Sequence, residues 1–241
     1  YKQFEVPTSW SSASGKVPHK KFKGSPELVK MVENITNHIG RMDGYKIPVS
    51  VFADHGDGQF EQGASASEKR GIAVTVPVWD EEKCIMCNKC SYVCPHACIR
   101  PYALTDEEVA AGPDNLRAVD IKGKGKGEYK YTLAVSPLDC MACTLCARAC
   151  SSGALQMTDA ASQLEEQKVF DYCVAEITDK PDLQAANVRG SQFMQPYLEF
   201  FGSCAGCAET SYARLITQLF GDRMFVSNAT GCSSIWGGPG A

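Results

Sequence analysis

Cysteines are the residues of this sequence most able to do chemistry, and two runs of four share one spacing. The members are Cys84, Cys87, Cys90 and Cys94 in the first run, and Cys140, Cys143, Cys146 and Cys150 in the second. Such close spacing lets several thiolates of one turn reach a single metal centre, and soft thiolates suit iron and zinc. Disulfides are the alternative, but they dominate in small secreted chains. The odd total of 13 cysteines and the tight spacing favour metal.

The spacing C-x2-C-x2-C-x3-C-P is a signature of [4Fe–4S] ligation in proteins that hold two clusters. Three thiolates surround one cubane, while the fourth cysteine begins the next segment and binds the other cubane. The predicted ligand sets are therefore Cys84, Cys87, Cys90 and Cys150 for one cluster, and Cys140, Cys143, Cys146 and Cys94 for the other. Ser151 replaces the proline expected after the second run, which removes no ligand. Zinc, the alternative, leaves the third cysteine of each run without a role.

Five further cysteines lie outside these two runs. Cys98 and Cys173 fit no ligand spacing, and we predict that they are buried thiols that bind no metal. Cys204, Cys207 and Cys232 form a third group, which is one thiolate short of a cubane. A thioredoxin-like redox pair is the alternative for the third group, but it leaves Cys232 unexplained.

A helix is predicted ahead of the cysteines. Ser25 is its expected N-cap, Pro26 its first residue and Gly40 its stop. The apolar residues that recur at helical spacing are Leu28, Met31, Val32, Ile35 and Ile39. Residues 53–69 are rich in Gly, Ala and Ser and are predicted to form a loop.

Each cysteine run lies between two β-like segments. IAVTVPVW and YKYTLAVS precede the runs, and IRPYAL and ALQMT follow them. An insertion at about 104–128 separates the copies and ends in GKGKGKGE, which lacks the spacing of a phosphate-binding loop. This internal repeat predicts an α+β fold, that of a bacterial two-[4Fe–4S] ferredoxin-like domain, over residues 71–160.

The flanking segments have another character. Residues 1–70 are predicted to be a lead segment and helix that link to upstream domains. Residues 161–200 are predicted to be a helix, which begins at the start of SQLEEQKVFDYCVAEI, and a linker. Residues 201–241 are predicted to contain a turn, a helix that ends near Gly221, a strand MFVSNA and a Gly-Cys turn. That order opens an α/β domain, which is still incomplete at residue 241.

Composition argues against several classes of function. The net charge is −4 without a long basic block, and 44% of residues are hydrophobic, so neither nucleic-acid binding nor wholesale disorder is expected. The apolar runs are shorter than the roughly 20 residues that span a bilayer, so no membrane partner is expected. No signal peptide is recognisable and residue 1 is Tyr. We expect a piece of a longer cytoplasmic polypeptide, or of one in a hydrogenosome-like organelle if its source is eukaryotic.

The segment FGSCAGCAETSYARLITQLFGDRMFVSNATGCSSIWGG resembles the start of the thiamine-diphosphate domain of pyruvate:ferredoxin (flavodoxin) oxidoreductases. The segments YKIPVSVF, EKRGIAV and CIMCNKCSYVCPHACIRP resemble the same family, in the same order. The resemblance covers nearly all of residues 40–241. Ala208 stands where this family leads us to expect glycine, and Ser211 where it leads us to expect proline.

The resemblance implies further site residues. It makes Cys204, Cys207 and Cys232 ligands of a third [4Fe–4S] cluster whose fourth ligand lies beyond residue 241. It also puts Glu209 and Cys232 beside thiamine diphosphate. A glutamate in a helix's first turn interacts favourably with the helix dipole in any case, so this second explanation for Glu209 stays open. No catalytic residue is assigned in this segment, and the magnesium motif is expected after residue 241.

The implied enzyme oxidatively decarboxylates pyruvate with coenzyme A to acetyl-CoA and carbon dioxide. Its cofactors are thiamine diphosphate, Mg²⁺ and three [4Fe–4S] clusters, which pass electrons singly to ferredoxin or flavodoxin. The remaining domains of the enzyme are expected to contact this segment, and the complete enzyme to be a homodimer. Two alternatives stay open: a stand-alone two-cluster ferredoxin-type carrier, which has no use for the third cysteine group, and a sibling 2-oxoacid:ferredoxin oxidoreductase with another substrate.

Overall fold

The structure is a computed structural model, and it describes residues 5–9, 22, 24–61, 63–123, 125, 127–183 and 186–236. Most of the predicted lead segment 1–24 lies outside these ranges, as do Lys124 and Lys126 of the predicted insertion. The chain divides into two compact units between Ser67 and Glu68. None of the helices in the described ranges is long and apolar enough to cross a bilayer.

The first unit is built around the predicted helix. It consists of α1 (Pro26–Met31), a π-helical segment (Val32–Thr36) and α2 (Asn37–Gly40). Ser25 caps it as predicted, since its hydroxyl accepts a hydrogen bond from the Leu28 N–H at 3.2 Å. The buried residues of this unit are Met31, Val32, Ile35 and Ala64. Short 3₁₀ helices follow at Gly44–Lys46, Val49–His55 and Ala64–Ser67.

The strands of the second unit form two antiparallel sheets. They are β1 (Thr75–Trp79), β2 (Ile99–Leu104), β3 (Val119–Asp120), β4 (Lys130–Val135) and β5 (Leu155–Asp159). β1 pairs with β5, and β4 lies between β2 and β3. Trp79 is opposite Leu155, and Ile99 is opposite Val135. The strand that enters one cysteine run is thus paired with the strand that leaves the other run.

The helices of the second unit lie between and after these strands. They are α3 (Lys89–Tyr92), α4 (Asp106–Ala110), α5 (Leu145–Ala149), α6 (Glu166–Glu176), α7 (Val188–Ser191), α8 (Ala208–Phe220) and α9 (Cys232–Trp236). Single 3₁₀ turns occupy Ala160–Gln163, Pro181–Leu183 and Gly221–Arg223. This mixture of helix and sheet agrees with the predicted α+β class.

Helix boundaries differ from the sequence prediction in two places. The helix expected to begin with Ser162 starts at Glu166, after a 3₁₀ turn, and continues to Glu176. The predicted insertion contains α4, where Thr105 and Glu108 form a reciprocal capping box. Because that box satisfies two amide donors at the helix start, even a five-residue helix is stable there.

Cysteines are part of the main core of this unit. Cys84, Cys90, Cys94, Cys140 and Cys146 are buried with Val76, Trp79, Tyr131 and Leu133. A second cluster holds Tyr102, Leu104, Phe170 and Cys173, where α6 packs on β4. The thiols therefore occupy the place that aliphatic side chains fill in most cores.

The predicted strand MFVSNA does not form. Residues 224–231 are irregular, and Phe225 and Val226 are 103% and 76% exposed. A strand is stable only when neighbouring strands satisfy its backbone and cover one face. The described strands are paired in the two sheets above, and none of them lies beside this segment. The prediction was wrong because the apolar pattern of these residues indicates β-propensity but does not show whether a neighbouring strand is available to pair with them.

Tyr131→Phe tests how strongly the core holds the first cysteine run. Tyr131 is 1% exposed, its ring packs against Trp79 and Phe193, and its hydroxyl donates to Asn88 Oδ1 at 3.1 Å. Removing the hydroxyl leaves a buried amide oxygen without this donor, which costs about 1–3 kcal/mol. We expect a lower midpoint of urea unfolding.

The control is Tyr197→Phe. Tyr197 is 61% exposed, although its hydroxyl also donates, to Asp222 at 2.6 Å. Water can replace an exposed hydrogen bond, so a change within about 0.5 kcal/mol is expected. Equal losses in the two variants would contradict a special role for the buried hydroxyl.

Candidate metal centre

The two cysteine runs have the same backbone path. Met86 (φ 56°) and Asn88 (φ 60°) are left-handed in the first run, and the equivalent Ala142 (φ 55°) and Thr144 (φ 65°) are left-handed in the second. The left-handed conformation costs an L-residue about 1–2 kcal/mol. Because this conformation recurs at equivalent positions of both runs, we infer that the strain serves the function of the loops and not their stability.

The strained loops direct amide groups at sulfur. Met86 N–H donates to Cys84 Sγ at 3.4 Å, and Ala142 N–H donates to Cys140 Sγ at 3.5 Å. The fourth cysteine of each run receives at least two backbone N–H groups as well. These come from His96 and Cys98 at Cys94, and from Ser152 and Ala154 at Cys150. Donors placed this way stabilise negatively charged sulfur.

One cavity, called here the Cys140 cavity, lies behind the second cysteine run. The cysteines that line it are Cys94, Cys98, Cys140, Cys143 and Cys146. Its empty volume is about 360 Å³, which includes its open mouth. Pro77, His96, Ile99 and Met157 complete most of the wall. The cavity therefore combines three thiols of the second run with the last thiol of the first.

A second cavity, called here the Cys84 cavity, has the reciprocal arrangement. The cysteines that line it are Cys84, Cys87, Cys90 and Cys150. Its empty volume is about 320 Å³ on the same basis. Trp79, Tyr131, Leu133 and Leu155 supply apolar wall. The two groups of four are those that the sequence predicts, and their assignment as ligands stays a prediction.

Strand pairing explains this exchange between the runs. Cys94 leads into β2, which is paired with β4, and β4 leads towards Cys140. The Ser136 N–H continues that ladder by donating to the Cys98 carbonyl at 2.8 Å. On the other side, the Asp80 N–H donates to the Ala154 carbonyl at 2.9 Å and extends the β1–β5 ladder. Each fourth cysteine is thus held beside the opposite run.

The thiols differ in their tendency to ionise. A hydrogen bond from the Cys98 thiol is the main cause that holds the pKa of Cys94 well below its usual value and also lowers the pKa of Cys140. The pKa of Cys98 is raised well above its usual value by the same contacts. Burial raises the pKa of Cys146 to about 12 and that of Cys90 well above its usual value. Among these three neighbouring thiols, Cys98 is thus the one whose ionisation is opposed, while ionisation of Cys94 and Cys140 is favoured.

The donor sets fit a cubane better than a single ion. Within the described ranges, no three His, Cys, Asp or Glu side chains converge closely enough to hold one metal ion. Thiolates of a cubane bind different irons at its corners, so they surround a volume. Tetrahedral zinc needs its ligands around one point. Four thiols around the Cys84 cavity and five around the Cys140 cavity, with amide donors directed at several of the sulfurs, supply the four ligands that a [4Fe–4S] cluster requires.

The two unassigned cysteines occupy different places. Both are buried, as predicted. Cys173 lies in the α6–β4 core, where burial raises its pKa to about 12. Cys98 lines the Cys140 cavity, with its Sγ 3.5 Å from Cys94 Sγ. Nothing in the spacing of the cysteines separates these two residues, and the structure puts only Cys98 beside the candidate centre.

The turn between Cys204 and Cys207 approaches the Cys140 cavity. The Gly206 N–H donates to the Cys143 thiol, and a Cβ added at Gly206 would lie 3.5 Å from Cys143 Cβ. Gly206 has φ 75°, a left-handed conformation that favours glycine. Cys204 is exposed, and Cys207 is half-buried at the start of α8.

The remaining predicted residues lie on an exposed surface. Cys232 is exposed at the start of α9. Trp236, at the end of α9, donates its indole N–H to Glu209 Oε2 at 3.2 Å and packs against Phe201. Glu209 is in the first turn of α8, as predicted. These contacts put α9 beside the start of α8.

Two side chains on α8 bind the first run through contacts that the sequence did not predict. Ser211 donates to the Val93 carbonyl at 2.9 Å. Arg214 donates to the carbonyls of Ser91 and Cys94 at 2.9 and 2.6 Å. These carbonyls lie at the end of α3, where a helix leaves oxygen atoms unpaired. The helical pattern of α8 could not predict the contacts of Arg214, because Cys94 and Ser91 lie 120 and 123 positions earlier in the chain.

Two parts of the chain match models of known protein families. Residues 83–154 match the 4Fe-4S dicluster domain, and residues 17–73 match EKR, a domain of unknown function. The dicluster match contains both cysteine runs, so the predicted ferredoxin-like domain with two clusters is confirmed.

Three curated relatives align with almost the whole chain. A pyruvate-flavodoxin oxidoreductase of Klebsiella pneumoniae is 45% identical over 98% of this chain and 20% of its own length. A pyruvate:ferredoxin oxidoreductase of Moorella thermoacetica is 42% identical over the same shares. The mitochondrial pyruvate dehydrogenase [NADP(+)] of Euglena gracilis is 39% identical over 98% of this chain and 13% of its own length.

The chain spans about one fifth of the length of the first two relatives. The resemblance inferred from the sequence is confirmed by these alignments, which include the segment after the second cysteine run. Over nearly its whole length, the chain is therefore homologous to a segment of the pyruvate-flavodoxin and pyruvate:ferredoxin oxidoreductases, and it contains a 4Fe-4S dicluster domain.

Proposed function

We propose that this chain carries electrons through two [4Fe–4S] clusters within a longer pyruvate oxidoreductase. The proposed ligands are Cys84, Cys87, Cys90 and Cys150 in the Cys84 cavity, and Cys140, Cys143, Cys146 and Cys94 in the Cys140 cavity. The observation that carries this proposal is the composition of the two cavities: each combines three cysteines of one run with the last cysteine of the other. A bound cubane accepts and releases one electron at a time.

The protein supplies the environment of those electrons. Amide donors from Met86 and Ala142 stabilise negative sulfur, while the apolar walls limit access of water. Gly206 contacts Cys143, which supports electron transfer from the third cysteine group to the Cys140 cavity first. The Cys84 cavity then follows, since α3 of the first run packs against α5 of the second.

The activity of the longer protein is proposed from its relatives. Their names support oxidation of pyruvate with ferredoxin or flavodoxin as the electron acceptor. Decarboxylation, with coenzyme A as the acyl acceptor, is proposed from the family resemblance. Residues 201–241 are proposed to begin the domain that binds thiamine diphosphate and Mg²⁺, with Glu209 and Cys232 beside the former. Bound thiamine diphosphate supplies the electron sink for decarboxylation. The complete enzyme is proposed to be a cytoplasmic homodimer.

A third cluster is proposed at Cys204, Cys207 and Cys232, with its fourth ligand elsewhere in the longer protein. The contact between Trp236 and Glu209 supports this arrangement, because it holds α9, and with it Cys232, beside the start of α8. The alternative of a stand-alone carrier has less support, since the relatives align beyond the dicluster domain. The name of the Euglena relative contains NADP(+), so NADP(+) is an alternative electron acceptor for the longer protein.

Exchange of ligands predicts which cluster each substitution affects. Cys94→Ala removes a ligand of the Cys140 cavity, although Cys94 belongs to the first run. Cys98 Sγ lies 3.5 Å from Cys94 Sγ, so the substitution is made together with Cys98→Ala. We expect the EPR signal that Cys140→Ala abolishes to be the first affected, in protein loaded with iron and sulfide.

The reciprocal control is Cys150→Ala. It should first affect the EPR signal that Cys84→Ala abolishes, because Cys150 lines the Cys84 cavity. If the Cys94 variant instead matched Cys84→Ala, each run would bind its own cluster and the exchange would be disproved.

The two remaining buried cysteines are expected to bind no iron. Cys98→Ala and Cys173→Ala should each leave the iron content unchanged, although Cys98 lines a cavity. A cubane contains four irons, so a loss of about four irons per chain in either variant would mean that a ligand has been missed. Iron analysis with EPR provides the measurement.

The third group predicts a difference between residues 1–241 and the complete polypeptide. The eight proposed ligands of two cubanes are within residues 84–150, so the shorter chain should hold about eight irons and release no carbon dioxide from labelled pyruvate. The complete polypeptide should hold about twelve irons. Cys204→Ala should remove about four irons from the complete polypeptide and none from the shorter chain. Twelve irons in the shorter chain would mean that the third cluster is complete there.

A further inference from the structure

A buried positive charge lies beside the Cys140 cavity. Arg214, in the middle of α8, is 1% exposed. Its Nη1 donates to the Cys94 carbonyl at 2.6 Å and to the Ser91 carbonyl at 2.9 Å. A guanidinium keeps its proton under all ordinary conditions, so this is a permanent cation at the backbone of a residue that lines the cavity.

Within the described part of the chain, no carboxylate forms an ion pair with Arg214, whereas the neighbouring buried arginine has one. Arg100 is 3% exposed and pairs with Glu199. The other groups that Arg214 contacts are neutral: its Nη2 lies 3.4 Å from Oε1 of both Gln192 and Gln218. Burial lowers the pKa of Arg214 to about 10, and the charge of Glu199, which is already paired with Arg100, raises it only in part. Because burying a cation without a directly paired anion is costly, a further negative charge nearby is stabilising.

Neutral hydrogen bonds fix the guanidinium in place. Ser91 donates its hydroxyl to Gln192 Oε1 at 2.8 Å, and Gln218 Nε2 donates to the Ser191 and Met194 carbonyls at 3.0 and 3.2 Å. This network joins α3, α7 and α8. The cation therefore cannot turn towards solvent without breaking several buried hydrogen bonds.

The Cys140 cavity is the site at which the missing negative charge fits. Four thiolates around a cubane make it anionic, and reduction adds a further negative charge. Resting on the function proposed above, we propose that Arg214 is a positioning residue that raises the reduction potential of the cluster in the Cys140 cavity. A fixed positive charge in a region of low dielectric stabilises the reduced, more negative state over the oxidised one.

The Cys84 cavity has no equivalent buried cation among the described residues. Lys122 donates to the Cys84 carbonyl at 2.7 Å, and Arg189 donates to the Met86 carbonyl at 2.9 Å. Lys122 is exposed and Arg189 is half-buried, so water and salt screen both charges. Two loops of identical backbone path are thus placed in different electrostatic surroundings.

The test removes the charge and measures both potentials. Arg214→Met, in the full polypeptide that the gene encodes, is neutral and of similar length. In a redox titration followed by EPR, we expect the equilibrium constant for reduction of the Cys140-cavity cluster to fall at least tenfold. For a one-electron couple this lowers the reduction potential by about 59 mV. The Cys84-cavity cluster should shift much less. The Cys94 and Cys150 variants identify the two signals.

Two control variants separate charge from packing. Arg214→Lys retains the charge but loses the planar fork, so its potential should stay near that of the unsubstituted protein. Arg148→Gln removes an exposed charge on α5, between the proposed ligands Cys146 and Cys150, and solvent screening should make its effect small. An equal shift in Arg148→Gln and Arg214→Met would overturn the role of burial.

The remaining outcomes are also decisive. An unchanged potential in Arg214→Met with full iron content overturns the proposal. If Arg214→Met loses the cluster, Arg214→Gln replaces it, and loss in both neutral variants with retention in Arg214→Lys supports a required charge. Equal loss in the lysine variant overturns it. If the unsubstituted protein shows no cubane signal, the proposed function fails instead, which is a separate result.

Discussion

Antiparallel pairing across the internal repeat is the constraint on which the rest of the second unit depends. β2 with β4, and β1 with β5, join the exit of one cysteine run to the entrance of the other. This pairing brings the last thiol of each run to the opposite cavity and buries the cysteines in one core. Neither half of the repeat can have its own core, because each half supplies only one strand of each ladder.

The cysteine loops adopt a strained backbone conformation that directs amide groups at sulfur. Met86, Asn88, Ala142 and Thr144 adopt a left-handed conformation that β-strands and helices do not require. In return, amide groups turn towards sulfur instead of forming a ladder. A chain without its metal centres keeps the strain and buries Cys90 and Cys146, two thiols whose pKa burial raises. The proposed clusters therefore contribute to folding as well as to electron transfer.

Sequence reasoning succeeded where the signal is local. Cysteine spacing predicted which fourth cysteine lies beside each run, Ser25 predicted a cap, and Gly221 predicted the end of α8. The role of these cysteines as ligands stays a prediction. It failed for residues 224–229, since strand formation depends on a partner that periodicity cannot supply. It also missed Arg214, whose carbonyl partners lie on a distant part of the chain. The position of Cys98 beside the cavity could not be foreseen either, because its distance from Cys140 depends on the β2–β4 register.

The order in which a ribosome produces these residues gives the strand pairing a consequence for biosynthesis. Thr75 is opposite Asp159, so β1 emerges long before the strand that completes its sheet. Until then, the first three cysteines of the first run have neither their fourth neighbour nor a finished core. Such long-range closure is slow compared with local helix formation. Metal delivered to the growing chain would meet exposed thiols without a defined site, and loading is therefore expected only after the second run has left the ribosome.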